Sequence, residues 1–384
     1  MTSNLSLVNL GSIATFRAGY AFPKKDQGKT DGEIPFIKVS DFNIPGNEYH
    51  ITQANNYVSA EYVKERKLKT FPAGTIVFAK IGVALLSDRV RVLTRPTLID
   101  NNLMGCVAKE VNEKYLSYIL ELIHLSRYAE GSALPFLKQS TIEKLSINIH
   151  PEEVQNKIAN FIGNLDLKIE CNNNVIKNLE YLMTCLFYEK CIKEHGRKTS
   201  LSKIANFLNG LAMQKFPPTP EDKPLPVLKI RELRQTFCDE NSDLCSSKIN
   251  SQYIVNDGDL IFSWSGSLLV DIWTGGKCGL NQHLFKVTSQ THPKWFVFLW
   301  IKFHIDNFTA IAQAKATTMG HIKRSDLDKA EVIYLDKSEI DVLDTIFKPQ
   351  FNLLINLKLQ NKIITKIRDL LLPKLLSGEI YLLN

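Results

Sequence analysis

Two long stretches of the chain carry apolar residues at alternating spacings of three and four positions. Such spacing, sustained over more than four heptads, predicts a long helix with a coiled-coil seam, in which one polar residue fixes the register. In the first stretch, Asn172 fills the gap in the series. The apolar positions of this stretch are Val154, Ile158, Ile162, Leu165, Ile169, Ile176, Leu179, Met183 and Leu186.

The second stretch repeats this seam 188 positions later, and Gln360 is the counterpart of Asn172. Pro349 predicts an interruption or restart of this helix, because proline lacks the N–H and clashes with the preceding turn. A lone helix of this kind would expose its apolar stripe, so we expect the two helices to pair antiparallel, with Asn172 and Gln360 near the middle of the seam. The alternative is that each helix packs on its own globular domain. The apolar positions here are Val342, Ile346, Leu353, Leu357, Ile364, Ile367 and Leu371, with a second glutamine at Gln350.

The rest of the chain is a tandem duplication. Four blocks recur in the same order at displacements of 184 to 191 positions, and this collinearity argues against chance. The pairs are LGSIATF (10–16) and LSKIANF (201–207), IPFIKVSDF (34–42) and LPVLKIREL (225–233), AGTIVFAKIG (73–82) and DGDLIFSWSG (257–266), and PFLKQSTIEK (135–144) and GHIKRSDLDK (320–329).

Each copy is predicted to form an α+β domain. Short β-branched runs opened by turn residues predict strands, and an amphipathic helix precedes the last block of each copy, at 115–128 and at 295–312. The predicted organisation is two related domains and two long helices that form an antiparallel coiled coil with a pseudo-twofold axis. Its boundaries are 1–150 for the first domain, 151–195 for the first helix, 196–336 for the second domain and 337–384 for the second helix.

This organisation indicates a reader of two DNA half-sites. About 35 residues per helix give a rod of roughly 50 Å, and dimeric DNA readers place their contacts about one helical turn, ~34 Å, or a multiple apart. Because the two domains differ in sequence, we expect a target with two different halves and an unread spacer between them.

Composition and charge narrow the class of protein without identifying it. The chain has 384 residues, 44% hydrophobic and 23% charged, which is typical of folded proteins with two or three domains. The net charge of +7 permits a polyanionic partner. Apolar runs such as 295–301 are too short to span a membrane, and the first residues show no export signal. Seven cysteines without a C-x-x-C pair indicate reduced thiols, a cytoplasmic location and no zinc site.

Three segments resemble the specificity subunit of type I restriction-modification systems. KIRDLLLPKLLSGEI at 366–380 is similar to the closing motif of that family, and ATTMGHIKRSDLDKAEV at 316–332 to the end of a target-recognition domain. HPEEVQNKI at 150–158 resembles the P-P-x-x-E-Q-x-x-I start of a conserved helix, with His150 in place of the first proline and Val154 in place of the glutamate. The second copy, at 335–346, lacks this motif.

The resemblance implies a non-catalytic subunit that reads a bipartite DNA target. Its implied partners are double-stranded DNA, two methyltransferase subunits that use S-adenosylmethionine, and two restriction subunits in a full complex. The faces of the long helices left after pairing would be the docking surface. The tail leucines at 370, 371, 375 and 376 would be covered by the first helix or by a methyltransferase, with a helix break at Pro373 and an end at Gly378. Two alternatives are a specificity subunit of another methyltransferase or nuclease architecture and a coiled-coil scaffold that does not bind DNA.

Motifs for catalysis are missing from the sequence. The chain has no G-x-G turn and no phosphate-binding G-x-x-x-x-G-K-[ST] loop, and FPPTP at 216–220 lacks the flanking residues of an adenine methyltransferase motif. We therefore predict no catalytic residue, no metal site and no cofactor bound by this chain itself.

The residues predicted to contact DNA occur at equivalent places in both copies and are of types that bind phosphates or base edges. Lys38 with Ser40, and Lys229 with Arg231, are expected to alternate along a strand with the buried Ile37 and Leu228. Lys138 and Lys323 are predicted to contact phosphates, although an ordinary solvated lysine is the alternative for each position. For Trp264, core packing and stacking near DNA remain equally open. The predicted set is Lys38, Ser40, Lys80, Arg89, Arg91, Lys138, Gln139, Ser140, Lys229, Arg231, Ser263, Ser265, Lys315, Thr317, Thr318, Lys323 and Arg324.

Overall fold

The computed structural model describes residues 5–193, 196–314 and 320–382, and the chain divides into two compact units. Unit 1 contains Met1–Cys171 and Ile364–Asn384, and unit 2 contains Asn172–Ile363. Both boundaries fall inside long helices, so each unit holds one domain and a segment of both helices. The boundaries between domains and helices that the sequence indicates stay a prediction.

Unit 1 has its strands in three sheets. The largest has the order β2-β9-β6-β7-β4, a second has the order β5-β3-β8, and β1 pairs with β10. The elements, in chain order, are β1 (Ser6–Asn9), α1 (Leu10–Ile13), β2 (Ala14–Ala18), β3 (Ile34–Ile37), β4 (His50–Ile51), β5 (Tyr57–Val58), α2 (Ala60–Glu65), β6 (Ile76–Ala79), β7 (Val90–Leu93), β8 (Leu98–Ile99), β9 (Leu103–Ala108), α3 (Glu113–Ile123), α4 (Gln139–Glu143), β10 (Ser146–Ile149) and α5 (Glu152–Phe187).

Unit 2 repeats this plan with sheets of order β12-β19-β16-β17 and β14-β13-β18-β15, and with β11 paired to β20. The elements are β11 (Lys198–Ser200), α6 (Leu201–Ile204), β12 (Asn206–Asn209), β13 (Leu225–Leu228), α7 (Ile230–Gln235), β14 (Leu244–Cys245), β15 (Ile254–Val255), β16 (Leu260–Ser263), β17 (Leu269–Ile272), β18 (Cys278–Leu280), β19 (Leu284–Thr288), α8 (Lys294–Ala314), α9 (Arg324–Lys329), β20 (Glu331–Ile333) and α10 (Lys337–Ser377).

The duplication is visible in the strand registers. Phe78 of β6 lies opposite Met104 of β9, and Phe262 of β16 lies opposite Phe285 of β19 in the same antiparallel register. The four residues of β6 and of β16 are all buried, because these central strands are covered on both faces. The predicted α+β class and the predicted strands in the blocks 73–82 and 257–266 are confirmed.

The amphipathic helices differ in length from their predictions. α3 is predicted over 115–128, but it ends at Ile123, where His124 takes a left-handed φ of +53° and a 3-10 turn follows. α8 is predicted over 295–312 and spans Lys294–Ala314. α3 packs Leu116 and Leu120 into the sheet core.

α10 runs without interruption through Pro349 and Pro373, so the predicted breaks at both prolines are wrong. A proline inside a helix costs about 3 kcal/mol. Burial of Phe347, Phe351 and Leu354 beside Pro349 offsets this cost, since each is at most 4% exposed. The helix ends as predicted at Gly378, which has a left-handed φ of +73°.

Within unit 2 the segments of α5 and α10 pair antiparallel. The amide of Asn172 donates hydrogen bonds to Gln360 Oε1 at 2.9 Å and to Asn361 Oδ1 at 2.7 Å. Fifteen positions further along α5, Phe187 contacts Phe347, which precedes Gln360 in α10, with ring centroids 6.5 Å apart. The predicted contact between Asn172 and Gln360 is therefore present, and its role in fixing the register stays a prediction.

Within unit 1, α5 contacts its own domain and α10 together. Ile158 and Ile162 of α5, Tyr115 of α3, and Leu372 and Leu375 of α10 form one buried cluster. Part of the apolar tail is thus covered inside the chain, whereas Leu370 is 57% exposed. The two sequence alternatives, helix pairing and packing on the helix's own domain, occur together here.

A buried ion cluster joins the same three elements of unit 1. Arg368 of α10 donates from Nε to Asp166 Oδ1 at 2.6 Å and from Nη2 to Glu121 Oε2 at 2.6 Å, and Tyr118 OH donates to Asp166 Oδ2 at 2.6 Å. Burial alone would lower the pKa of Arg368, but hydrogen bonds and charges from Glu121 and Asp166 outweigh it and raise that pKa. Arg368 is 3% and Asp166 2% exposed. Because water cannot reach either group, each side chain compensates the buried charge of the other.

Candidate nucleic-acid interface

The end of a central strand and the block before a short helix form one open cleft in each unit. In unit 1, Lys80 follows β6, its carbonyl accepts from Leu137 N at 2.8 Å, and Gly82 N donates to Pro135 O at 2.7 Å. Gly82 has a φ of +77°, which lets the chain turn away from the strand at this point. The two hydrogen bonds hold the segment 135–138 beside the end of the strand.

Unit 2 builds the same framework from the equivalent residues. Trp264 occupies the position of Lys80, and its carbonyl accepts from Ile322 N at 3.0 Å, while Gly266 N donates to Gly320 O at 2.9 Å. Gly266 has a φ of +64°. The two clefts therefore share a backbone arrangement and differ in their side chains.

Cleft 1, in unit 1, has a volume of about 500 Å³. It brings together four residues that the sequence predicts to contact DNA. Lys138 forms an ion pair with Glu130, Nζ to Oε2 at 2.6 Å, and both side chains are about half exposed. The lining residues are Ala18, Lys80, Met104, Phe136, Leu137, Lys138, Gln139, Ser140 and Glu143.

Cleft 2, in unit 2, has a volume of about 260 Å³ and an aromatic wall. Trp264 Nε1 donates to Asn209 Oδ1 at 3.0 Å, and its ring stacks on Phe285 with centroids 5.8 Å apart. These contacts fix the indole, which remains partly exposed. The lining residues are Asn209, Trp264, Phe285, His321, Ile322, Lys323 and Arg324.

The two predicted cations of cleft 2 differ in their surroundings. Arg324 Nη2 donates to the Phe207 carbonyl at 3.2 Å, which fixes the guanidinium beside the cleft. Lys323 is exposed, and within the described ranges of the chain its ammonium forms no ion pair with an acidic side chain. Lys323 is accordingly the more available of the two lysines predicted to contact phosphates.

A third cleft, of about 690 Å³, lies in unit 2 beside β13 and contains Lys229 and Arg231. Lys229 Nζ pairs with Asp243, and Arg231 Nη2 pairs with Asp239 Oδ1 at 2.8 Å. The hydrogen bond to Glu232 raises the pKa of Arg231. The positive charges predicted to meet DNA are thus compensated inside the protein, which lowers the attraction of this cleft for phosphates.

The placement of the pairs Lys38 with Ser40 and Lys229 with Arg231 corrects the sequence interpretation. They do not alternate along a strand, because β3 ends at Ile37 and β13 at Leu228, and a helical turn begins after each lysine. Lys38 Nζ donates to Gln27 Oε1 at 2.8 Å. Their side chains therefore do not form the strand face that the sequence predicts.

Ser263 and Ser265 are buried, and a direct contact of their side chains with DNA is not supported. Ser263 is 0% and Ser265 3% exposed. Ser263 Oγ lies 3.0 Å from the Ser267 carbonyl, and Ser265 Oγ lies 2.9 Å from His283 Nδ1. Both hydroxyls support the bend after β16, as expected for buried polar groups that need partners.

Arg89 and Arg91 line none of the three clefts. Arg89 precedes β7, and its Nη1 donates to Asn43 Oδ1, while Arg91 Nη1 donates to the Val90 carbonyl at 2.8 Å. Burial lowers the pKa of Arg89 and lowers that of Arg91 to about 10. The predicted sites Lys315, Thr317 and Thr318 lie outside the described residues.

Sequence reasoning missed Asn209 and His321 of cleft 2. Asn209 is the counterpart of Ala18 at a displacement of 191, and His321 is the counterpart of Phe136 at 185. Alignment of the two copies could therefore have indicated both positions. Among the described residues, no group of acidic, histidine and cysteine side chains is suited to hold a metal ion. None of the helices in residues 5–193, 196–314 and 320–382 has the length and apolar character needed to cross a membrane.

The chain has two related α+β domains, and each packs on segments of two long helices. Each domain has a cleft with the same backbone framework and different side chains. These features define a tandem-domain recognition protein. Residues 3–181 match the family model described as the type I restriction modification DNA specificity domain. Together with the relatives below, this match confirms the resemblance to the specificity subunits of type I restriction-modification systems that the sequence predicts. Members of this family are non-catalytic DNA-binding subunits.

Relatives are similar along nearly the whole chain. The specificity subunit of the type I restriction enzyme MjaIX from Methanocaldococcus jannaschii is 25% identical over 392 residues, covering 91% of this chain and 87% of the relative. The crystal structure of the type I restriction-modification S subunit from M. genitalium superposes with a TM-score of 0.56 and 14% identity, over 97% of this chain and 96% of the other. This second likeness supports the shared fold.

Proposed function

We propose that the chain reads an asymmetric, bipartite DNA target, with one half-site for each domain. The observation that supports this most directly is the pair of equivalent clefts with unlike side chains. Lys80 and Gln139 in cleft 1 are replaced by Trp264 and Arg324 in cleft 2. Since lysine, glutamine and arginine hydrogen-bond different base edges and tryptophan offers an apolar face, the two clefts favour different sequences.

Phosphate contacts are proposed for Lys138 and Lys323. Each lies at the same place of its cleft, directly before a short helix. Such contacts position a protein on the duplex without reading its sequence. Gln139, Ser140 and Arg324 are then the nearer candidates for base edges.

Replacing Lys323 by alanine is expected to weaken binding to all duplexes and to lower the magnitude of the salt slope of log K by about one. Lys138→Ala should have a smaller effect, because its ammonium must first leave Glu130, 2.6 Å away. Binding is measured by fluorescence anisotropy over a salt series. Lys277→Ala is the matched control, because Lys277 is exposed and lines none of the three clefts. A slope unchanged in Lys323→Ala, or lowered equally in the control, contradicts the phosphate contact.

Partner subunits are proposed from the family. Type I specificity subunits bind DNA and assemble with other subunits. For this chain we propose two methyltransferase subunits that use S-adenosylmethionine and, in the full complex, two restriction subunits, in the cytoplasm. Apolar side chains exposed on the long helices are available as docking positions for them: Leu167, Tyr181, Leu182, Val342, Leu353, Ile363 and Ile367.

Co-expression with candidate methyltransferase subunits, followed by sequencing of methylated DNA, tests the proposed target. The expected result is an adenine motif with two different halves and an unread spacer. Gln139→Ala should relax only one half and Arg324→Ala only the other, because each residue belongs to one cleft. A continuous or palindromic motif, or relaxation of both halves by one substitution, argues against the assignment. A scaffold that does not bind DNA would give neither methylation nor salt-dependent binding.

A further inference from the structure

An ion pair joins the domain to a long helix in each unit, and the two pairs have opposite polarity. In unit 1, Glu121 of α3 pairs with Arg368 of α10, Oε2 to Nη2 at 2.6 Å. In unit 2, Lys302 of α8 pairs with Glu180 of α5, Nζ to Oε2 at 2.6 Å. The acid is on the domain in unit 1 and on the helix in unit 2.

These four residues are equivalent by the duplication. The start of β9 at Leu103 and that of β19 at Leu284 differ by 181 positions, and the same displacement takes Glu121 to Lys302. The displacement of 188 that takes Asn172 to Gln360 also takes Glu180 to Arg368. The two ion pairs are therefore one contact of the repeat, built twice with its charges exchanged.

The exchanged charges oppose association between the same halves of two molecules, which are called like halves below. If α5 paired with α5 of a second molecule in the register it uses with α10, Glu180 of the second molecule would occupy the place of Arg368 and face Glu121. If α10 paired with its own copy, Arg368 would face Lys302. Both arrangements bring like charges together at a contact that is partly shielded from water, because Arg368 is 3% exposed and Glu180 only 27% exposed in its side chain.

We propose that the opposite polarity of these two ion pairs makes the two halves of the chain complementary to each other and repellent to a second copy of themselves. Glu121, Arg368, Lys302 and Glu180 are positioning residues: they select which domain packs on which helix. The inference rests on contacts within each unit and does not depend on the proposed DNA target.

A polarity swap in unit 2 tests the proposal. Glu180→Lys combined with Lys302→Glu keeps an opposite-charge pair within the chain. It also makes the contacts between the same halves of two molecules attractive. In such a dimer, Glu121 of one molecule faces the new lysine at position 180 of the other, and the new glutamate at position 302 faces Arg368 of the other. Unit 2 is the suitable place, since Arg368→Glu would set two buried carboxylates together at Asp166. The matched control is Lys198→Glu with Glu331→Lys, which swaps an exposed pair between β11 and β20.

The full-length variants are unfolded in urea and refolded over a range of protein concentrations at low ionic strength, and dimers are quantified by size exclusion with light scattering. A dimer with both pairings contains the contact of positions 121 and 180 twice and the contact of positions 302 and 368 twice. In the swap, all four change from like charges to opposite charges, so the dimerisation constant is expected to rise about tenfold over wild type. At about 1 M salt, where the screening length is ~3 Å, this rise should disappear.

Three outcomes would overturn the proposal: equal dimerisation of the swap and wild type, a rise in the control as large as in the swap, or a rise that persists at high salt. The single variants Glu180→Lys and Lys302→Glu keep the test decisive if the double variant folds poorly. Each breaks the ion pair within the chain and creates an attractive like-half contact, so each should dimerise more than wild type. An unchanged monomer fraction in both would count against the polarity rule.

Discussion

Replacing Arg368 by methionine is expected to lower the free energy of unfolding of unit 1 by about 3–5 kcal/mol, the usual cost of leaving a buried charge without its partner. Asp166 would lose its ion pair while remaining 2% exposed, and Glu121 would lose its contact with α10. The polar partner left at Asp166 would be Tyr118 OH, at 2.6 Å. The loss should therefore exceed that from deleting an exposed ion pair such as Lys198 with Glu331, which contributes about 0–1 kcal/mol.

Urea unfolding followed by two signals separates the units. Tryptophan fluorescence reports unit 2, whereas far-ultraviolet circular dichroism reports both units. Arg368→Met should therefore shift the part of the dichroism change that belongs to unit 1 to lower urea and leave fluorescence nearly unchanged. Arg368→Met with Asp166→Leu should recover much of the loss, since the orphaned carboxylate is gone. A single variant within 1 kcal/mol of wild type would disprove the role of the cluster. The tryptophans, all in unit 2, are Trp264, Trp273, Trp295 and Trp300.

Alanine at Gly210 is expected to destabilise unit 2 by about 3 kcal/mol or more, the upper range for overpacking. A Cβ at Gly210 would lie 2.2 Å from the Asn281 carbonyl oxygen and 2.4 Å from that of Leu280, and backbone atoms cannot rotate away. Gly19, the counterpart 191 positions earlier, meets the carbonyls of Ile99 and Asp100 at 2.1 and 2.2 Å. Gly19→Ala should therefore destabilise unit 1 to a similar extent.

Gly28→Ala is the control for this pair of substitutions. A Cβ at Gly28 would have no neighbour within 4 Å, and the cost is that of its left-handed φ of +84°, about 1–2 kcal/mol. Thermal unfolding followed by fluorescence and circular dichroism gives the order of stabilities. If Gly210→Ala is no less stable than Gly28→Ala, the close approach of the backbones is not a constraint.

The repeat and the helix seam could be predicted because their signal lies within the sequence itself. Comparison of one copy with the other gave the strands of 73–82 and 257–266, and the displacement of 188 gave the contact of Asn172 with Gln360. The continuous course of α10 through Pro349 could not be predicted from the neighbouring sequence. Residues distant in the sequence bury Phe347 and Phe351, and this burial offsets the free-energy cost of the proline.

The candidate site was less predictable than the fold, since side-chain partners come from distant parts of the chain. Lys229 looks free in the sequence, but Asp243 neutralises it after the chain turns back. Ser263 sits in a strand buried on both faces, where an alternating pattern cannot tell inside from outside. Trp264 shows both alternatives at once, because its ring stacks on Phe285 and still borders cleft 2.

The boundary between the units inside the long helices bears on synthesis of the protein. The domain of unit 1 packs on residues from 364 onward, so Asp166 waits for Arg368, 202 positions later. At about 5–20 residues per second, a ribosome needs roughly 10 to 40 seconds to supply that segment. During this interval Ile158, Ile162 and Tyr115 lack the contacts of Leu372 and Leu375, so part of this apolar cluster stays open to solvent. A product that stops before residue 364 cannot complete this cluster, because Leu372 and Leu375 are missing from it.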